Sequence, residues 1–119
     1  MTLKPCPDSP NCVTTQTESG DTEHYMEPVS YEGDQVEIIA AIVDTVTSNG
    51  GSVVSSTETS VEALFVTGLF KFKDDVSFEL DDEAKLLHFR SASRVGHSDL
   101  GANRKRMADL IPRVLSRLG

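Results

Sequence analysis

Tryptophan is absent from this chain of 119 residues, cysteine occurs twice, and aromatic residues amount to 6%. With 38% apolar residues overall, the core must be small and built mainly from Val, Ile, Leu and the five Phe. No stretch approaches the roughly 20 consecutive apolar residues that a bilayer-spanning helix requires, so no membrane partner is expected. Lys4, Pro5 and Cys6 follow almost directly on Met1, and the chain as given reads as cytoplasmic, export requiring a leader already removed. Two cysteines cannot by themselves complete a four-ligand zinc site, and the three histidines, His24, His88 and His97, do not form the usual short-spaced second pair. Neither a metal nor a cofactor is therefore expected. Internal repeats, a Walker-type phosphate loop and a G-x-S-x-G nucleophile elbow are all missing from the sequence.

Basic residues are scarce where most of the chain lies. Residues 1–83 hold 3 basic side chains (Lys4, Lys71, Lys73) against 17 acidic ones, whereas residues 84–119 hold 8 basic against 2 acidic, for a net charge of −8. An acidic body repels a phosphate backbone over most of its surface, which argues against nucleic acid as a partner. The basic last third has two readings: it neutralises the acidic body within one fold, or it leaves an anion site.

At this length one hydrophobic core closes and two do not. Residues 1–33 are rich in Pro, Ser, Thr, Asp and Glu and read as an irregular arm of the same domain, with short extended pieces at Val13–Thr17 and Met26–Tyr31. Residues 34–119 read as the core. From Asp34, a natural N-cap, Val36, Ile39, Ile42, Val43 and Val46 recur at spacings of three and four, which predicts an amphipathic helix stopped by Asn49-Gly50-Gly51. Four β-rich runs follow at Ser52–Thr57, Val61–Phe70, Val76–Leu80 and Leu86–Ala92, with connections short enough for an antiparallel meander.

A four-residue turn at 81–84 would set Val76 opposite Phe89 and Phe78 opposite Leu87 on one face, with Ser77 opposite His88 and Asp75 opposite Arg90 on the other. A last helix opens at Ser98 or Asp99 and carries Leu100, Met107, Leu110, Ile111, Val114, Leu115 and Leu118 on one side, Arg106, Asp109, Arg113 and Arg117 on the other. Pro112 within it predicts a kink or two short helices. The fold class is thus α+β in two layers: an antiparallel sheet of four to five strands, two helices packed on one face, and an irregular N-terminal arm. The sheet face bearing Asp75, Ser77, His88 and Arg90 is free unless the arm covers it.

Three segments carry a family resemblance: Cys6-Pro7-Asp8-Ser9-Pro10-Asn11-Cys12-Val13, Phe72-Lys73-Asp74-Asp75-Val76-Ser77-Phe78, and the run from Arg90 to Arg106. In this order, over nearly the whole chain, they resemble the domain of unknown function 1499 family. The resemblance implies one compact domain in which the three segments converge; it implies no activity, substrate or cofactor. The lack of a hydrophobic leader and the presence of Pro112 depart from what the family leads one to expect.

The run from Arg90 to Arg106 joins a strand end to a helix start. Such a junction presents free backbone N–H groups and the positive end of a helix. Arg90, Arg94 and Arg104 as charges, Ser91, Ser93 and Ser98 as hydroxyl donors, and Asp99 and Asn103 at the helix start make it a candidate site for a small anion or an acidic protein segment. The competing reading assigns the arginines to Asp74, Asp75 and Asp99 as fork-like ion pairs that pin the loop. Asp75 is then the partner of Arg90, and Asp74 contacts Arg94. As neighbours on a strand, Asp74 and Asp75 point to opposite faces and cannot act as a catalytic carboxylate pair.

Cys6 and Cys12 admit a disulfide, free structural thiols, or metal or redox chemistry. The leading expectation is a non-enzymatic binding domain. One rival is an enzyme using His97 or His88 as general base with a Ser or Asp neighbour, which would show a deep pocket joining His97, Asp75 and Arg90. Another is a protein-protein interaction module, which would show an exposed apolar patch beside the arginines.

Overall fold

The first helix, α1 (Gln35–Ser48), starts directly after Asp34 and ends at Asn49, whose backbone N–H bonds back to Thr45 and Val46. Its buried stripe is Ile38, Ala41, Ile42, Thr45 and Val46. The stripe lies slightly further round the helix than the sequence spacing suggests: Ile39 and Val43 sit on its flank, and Val36 is 79% exposed. Gly50 then takes φ +89°, a conformation that favours glycine. Gly51 lies so close to the core that a Cβ there would fall 2.6 Å from the Phe65 ring. In the computed structural model, residues 3–68, 71–96 and 98–118 are described.

Six strands form one sheet. In chain order they are β1 (Cys12–Thr14), β2 (Val29–Ser30), β3 (Ser52–Ser56), β4 (Ser60–Thr67), β5 (Phe72–Asp81) and β6 (Leu86–Ser93), and the spatial order is β1-β6-β5-β4-β3 with β2 also pairing to β6. The last four form the expected antiparallel meander. The strands beyond it come from the arm, which is otherwise irregular: β1 and β2 both lie antiparallel to β6. The outer side of β1 is in turn occupied by a bridge between Thr14 and Tyr25.

The β5–β6 register differs from the expected one by two residues. Phe78 pairs with Phe89, Val76 with Ser91, Ser77 with Arg90, Glu79 with His88 and Asp75 with Ala92. The turn therefore lies at residues 82–85, where Lys85 adopts φ 57° and the Asp81 carboxylate accepts a hydrogen bond from the Ala84 N–H. A shift of two keeps every side chain on its face. Val76, Phe78, Leu80, Leu87 and Phe89 still point into the core, while Asp75, Ser77, His88 and Arg90 still share the other face.

The second helix, α2 (Ala102–Ser116), runs through Pro112 as one element, so of the two expected outcomes, a kink or two short helices, the second does not occur. Pro112 is exposed and so is Ala108, the residue whose carbonyl loses its usual donor, so water can satisfy it. Met107, Leu110, Ile111 and Val114 are buried against the sheet and α1. Leu100, expected on that apolar side, precedes the helix and is 96% exposed. Both helices cover the face formed by Val61, Ala63 and Phe65 of β4 with their neighbours on β5 and β6. Burying side chains as large as Phe78, Phe89, Ile38 and Leu87 contributes about 1.5–3 kcal/mol each. Among the described residues no helix is long and apolar enough to cross a membrane.

Candidate functional site

The end of β6, the start of α2 and the arm meet in a buried polar cluster. Asp74, 3% exposed, accepts a 2.6 Å hydrogen bond at Oδ2 from Arg106 Nη2. Arg106 Nη1 donates to Asn103 Oδ1 at 2.9 Å and to Ser91 Oγ at 3.2 Å, and its guanidinium lies 5.1 Å from the Phe65 ring centre. Ser91 Oγ also donates to Asn103 Oδ1 at 2.6 Å. Asn103 Nδ2 reaches Ser93 Oγ, Asp99 Oδ2 and the Asn11 carbonyl at 2.9, 2.7 and 3.2 Å. Residues of all three resembling segments thus share one network. A charge pair this deep holds its partners in one geometry because breaking it would strand a buried charge. Arg106, expected on the outer side of the helix, is turned inward, and Asp74 pairs with it rather than with Arg94. One atom stays unsatisfied: Asp74 Oδ1 is buried without a partner.

The mouth of α2 is already filled. Leu100 and Gly101 take φ 55° and 80°, which bends the chain so that Asp99 Oδ1 accepts from the Gly101 N–H at 2.8 Å and Oδ2 from the Asn103 N–H at 3.0 Å. Burial pushes the Asp99 carboxyl up, but the hydrogen bonds from Asn103 and Gly101 outweigh it and hold the group below the usual carboxylate range. A fixed negative charge therefore sits where an anion would meet the helix. Ser98 Oγ accepts from the Leu100 N–H at 3.3 Å.

The remaining arginines differ in what holds them. Arg94 grips Asp75 as a fork, with Nε and Nη2 each 2.9 Å from a carboxylate oxygen, both side chains about half exposed. Asp75 thus has Arg94, not Arg90, as its partner, because the two-residue register shift puts Ala92 opposite it. Arg104 donates to the carbonyls of Tyr25, Thr22 and Glu23 at 3.0, 3.3 and 3.2 Å, tying the arm to α2. Arg90 stands apart. Its Nη2 donates to the Pro5 carbonyl over a long 3.3 Å, and its Nε is buried with no partner. Burial works against its charge, with Asp75 and Glu62 offsetting that only in part, and its pKa lies below the ordinary arginine value.

The arm reaches the polar face of the sheet as well as its edge. A disulfide joins Cys6 to Cys12 across a Cα–Cα distance of 5.7 Å, resolving the alternatives left by the sequence. Gln16 donates to Glu79 at 3.1 Å, and Asn11 Nδ2 donates to the Gly96 carbonyl at 2.9 Å. His24 is 2.8 Å from Asp21 through Nδ1 and 2.9 Å from the Ser9 carbonyl through Nε2. Both partners are acceptors, so the geometry favours the doubly protonated, charged imidazole, in which both ring nitrogens donate. Desolvation opposes that charge, but the bonds to Ser9 and Asp21 outweigh it and raise the pKa above its ordinary value.

His88 Nδ1 is engaged with Thr15 Oγ1 at 2.8 Å, and His97 lies outside the described residues. Surface hollows of about 390, 480, 560 and 710 Å3 are lined elsewhere, and His88, Arg90 and Asp75 line none of these. Val95 and Leu100, 60% and 96% exposed, flank the loop that carries Arg94. Sequence reasoning did not single out Asn11, His24, Arg106 or Pro5. Asn11 and Arg106 both lie within the segments that carry the family resemblance, and charge was a second signal for Arg106.

No curated protein and no solved structure matches the chain. A family model described as "Protein of unknown function (DUF1499)" matches residues 2–114, nearly the whole length and all three segments that meet at the cluster. The chain belongs to the DUF1499 family.

Proposed function

We propose that the protein is a non-enzymatic binding domain that takes a carboxylate- or phosphate-bearing group, free or on an acidic protein segment, at Arg90 on the polar sheet face. The observation that carries this reading is the state of Arg90. Of its five N–H donors, one makes a long bond to a carbonyl, and the buried Nε makes none. Arg94, Arg104 and Arg106 have carboxylate or carbonyl partners, and Asp99 fills the α2 mouth, so the reading centres on Arg90 and the adjoining Arg94–Asp75 pair. An anion would restore to Arg90 the charge compensation that burial removes.

Recognition is favoured over catalysis because Asp74 and Asp75 point to opposite faces and cannot act as a carboxylate pair, and Nδ1 of His88 is engaged by Thr15. Titration calorimetry with inorganic phosphate, sulfate, citrate and a glutamate-rich peptide tests it. Arg90→Gln is expected to weaken binding of the responding anion about tenfold or more, the worth of one charge-assisted hydrogen bond. The fold should survive, since the variant removes a poorly satisfied donor. Absence of any response in both the oxidised and the reduced wild type, or equal affinity in Arg90→Gln, rules the reading out.

A further inference from the structure

The Pro5 carbonyl is the acceptor that now meets Arg90, and Pro5 immediately precedes one half of the disulfide. We infer, resting on the reading of Arg90 as an anion site, that residues 4–6 form an autoinhibitory strap: the Cys6–Cys12 bond latches the Pro5 carbonyl over Arg90, and reduction unmasks the guanidinium. The latch is anchored at one end only. Cys12 is fully buried and lies in β1 opposite Ala92, two residues along β6 from Arg90. Cys6 is half-buried and lies in a segment with no regular secondary structure.

On either side the arm has its own ties, Leu3 N–H to Gln16 at 2.8 Å and the Ser9 carbonyl to His24 at 2.9 Å. Between those ties the covalent bond sets where Pro5 sits. A peptide carbonyl is a neutral acceptor, and at 3.3 Å a weak one, so it is a poor substitute for a carboxylate or phosphate oxygen on a half-buried cation. Masked in this way, Arg90 keeps a neutral hydrogen-bond partner, and the nearby Asp75 and Glu62 offset its charge only in part.

The opening step needs a dithiol reductant. One of its thiolates attacks the sulfur of half-buried Cys6, forming a mixed disulfide as the bond to Cys12 breaks and the Cys12 thiolate takes a proton. The reductant's second thiolate then displaces Cys6, which is protonated in turn. Two electrons and two protons have passed to the protein, which holds two thiols, while the reductant holds the disulfide. Pro5 is then free to leave, exposing Arg90 to a two-oxygen ligand.

The test titrates inorganic phosphate and citrate into the full chain, oxidised and after dithiothreitol, in the wild type and in Cys6→Ala, with two-dimensional NMR spectra recorded for each. Affinity is expected to rise about tenfold on reduction, to be equally high in Cys6→Ala without reductant, and to vanish from the reduced Arg90→Gln protein. Equal or weaker binding after reduction overturns the strap and leaves the Arg90 reading standing. Loss of spectral dispersion in both the reduced wild type and Cys6→Ala also overturns it, because the bond would then hold the fold rather than the strap. No Arg90-dependent binding in either redox state removes the anion site itself.

Discussion

Gly51 shows how tightly a single position is constrained. The missing side chain leaves room for the Phe65 ring and the Val46 methyl, which would meet a Cβ at 2.6 and 2.8 Å. Gly51→Ala should therefore destabilise by about 1–3 kcal/mol, the cost of overpacking a closed core, read as a lower urea midpoint with an unchanged slope. The Asn49-Gly50-Gly51 stop was legible in the sequence because glycine chemistry is local. The inward turn of Arg106 was not. A long cationic side chain in a helical pattern reads as solvent-facing, and only the sheet register shows Asp74 waiting beneath it. The same holds for Arg90, whose expected partner was taken by Arg94.

Elements were more legible than their alignment. Alternation along β5 and β6 sorted every named side chain to its face, but turn length depends on one residue, Lys85, adopting a left-handed conformation that sequence patterns do not favour for lysine. β1 and β2 span 3 and 2 residues, too short to show a period, so the arm's place in the sheet could not be read in advance. In α2 the proline rule predicted a kink or two short helices, and packing on both sides of Pro112 by Ile111 and Val114 keeps it one helix. That continuity opposes the intrinsic cost of an internal proline. Pro112→Ala should accordingly raise stability by about 1–3 kcal/mol, measured by denaturant titration, and leave Arg90-dependent binding untouched.

At the scale of the whole molecule, charge is arranged rather than merely balanced. Lys85–Asp82, Arg94–Asp75 and Arg106–Asp74 each join a cation of the basic third to an acid of the acidic body. The arm has a separate clamp in Asp21, His24 and the Ser9 carbonyl. Because the folded pKa of His24 is raised, its contribution is complete below the unfolded value and is lost as pH climbs through the folded one. Asp21 is lowered, chiefly by its hydrogen bond to His24, so its contribution is present above the unfolded value and is lost as pH falls through the folded one. The clamp is thus strongest between the two unfolded values, above that of Asp21 and below that of His24. Stability measured from about pH 5 to 8 should fall toward the alkaline end in the wild type, and His24→Gln should flatten that slope.

Among the described residues the strand that pairs with β1 is the last one, β6, near the other end of the sequence, and on its other side β1 has the bridge to Tyr25. During synthesis the opening residues therefore leave the ribosome long before the segment that will receive them. They must wait, without their partner strand, until the closing hairpin has emerged. Completion of the sheet is in this sense a post-translational event, and an early stop in translation would yield a meander whose terminal edge has never been closed.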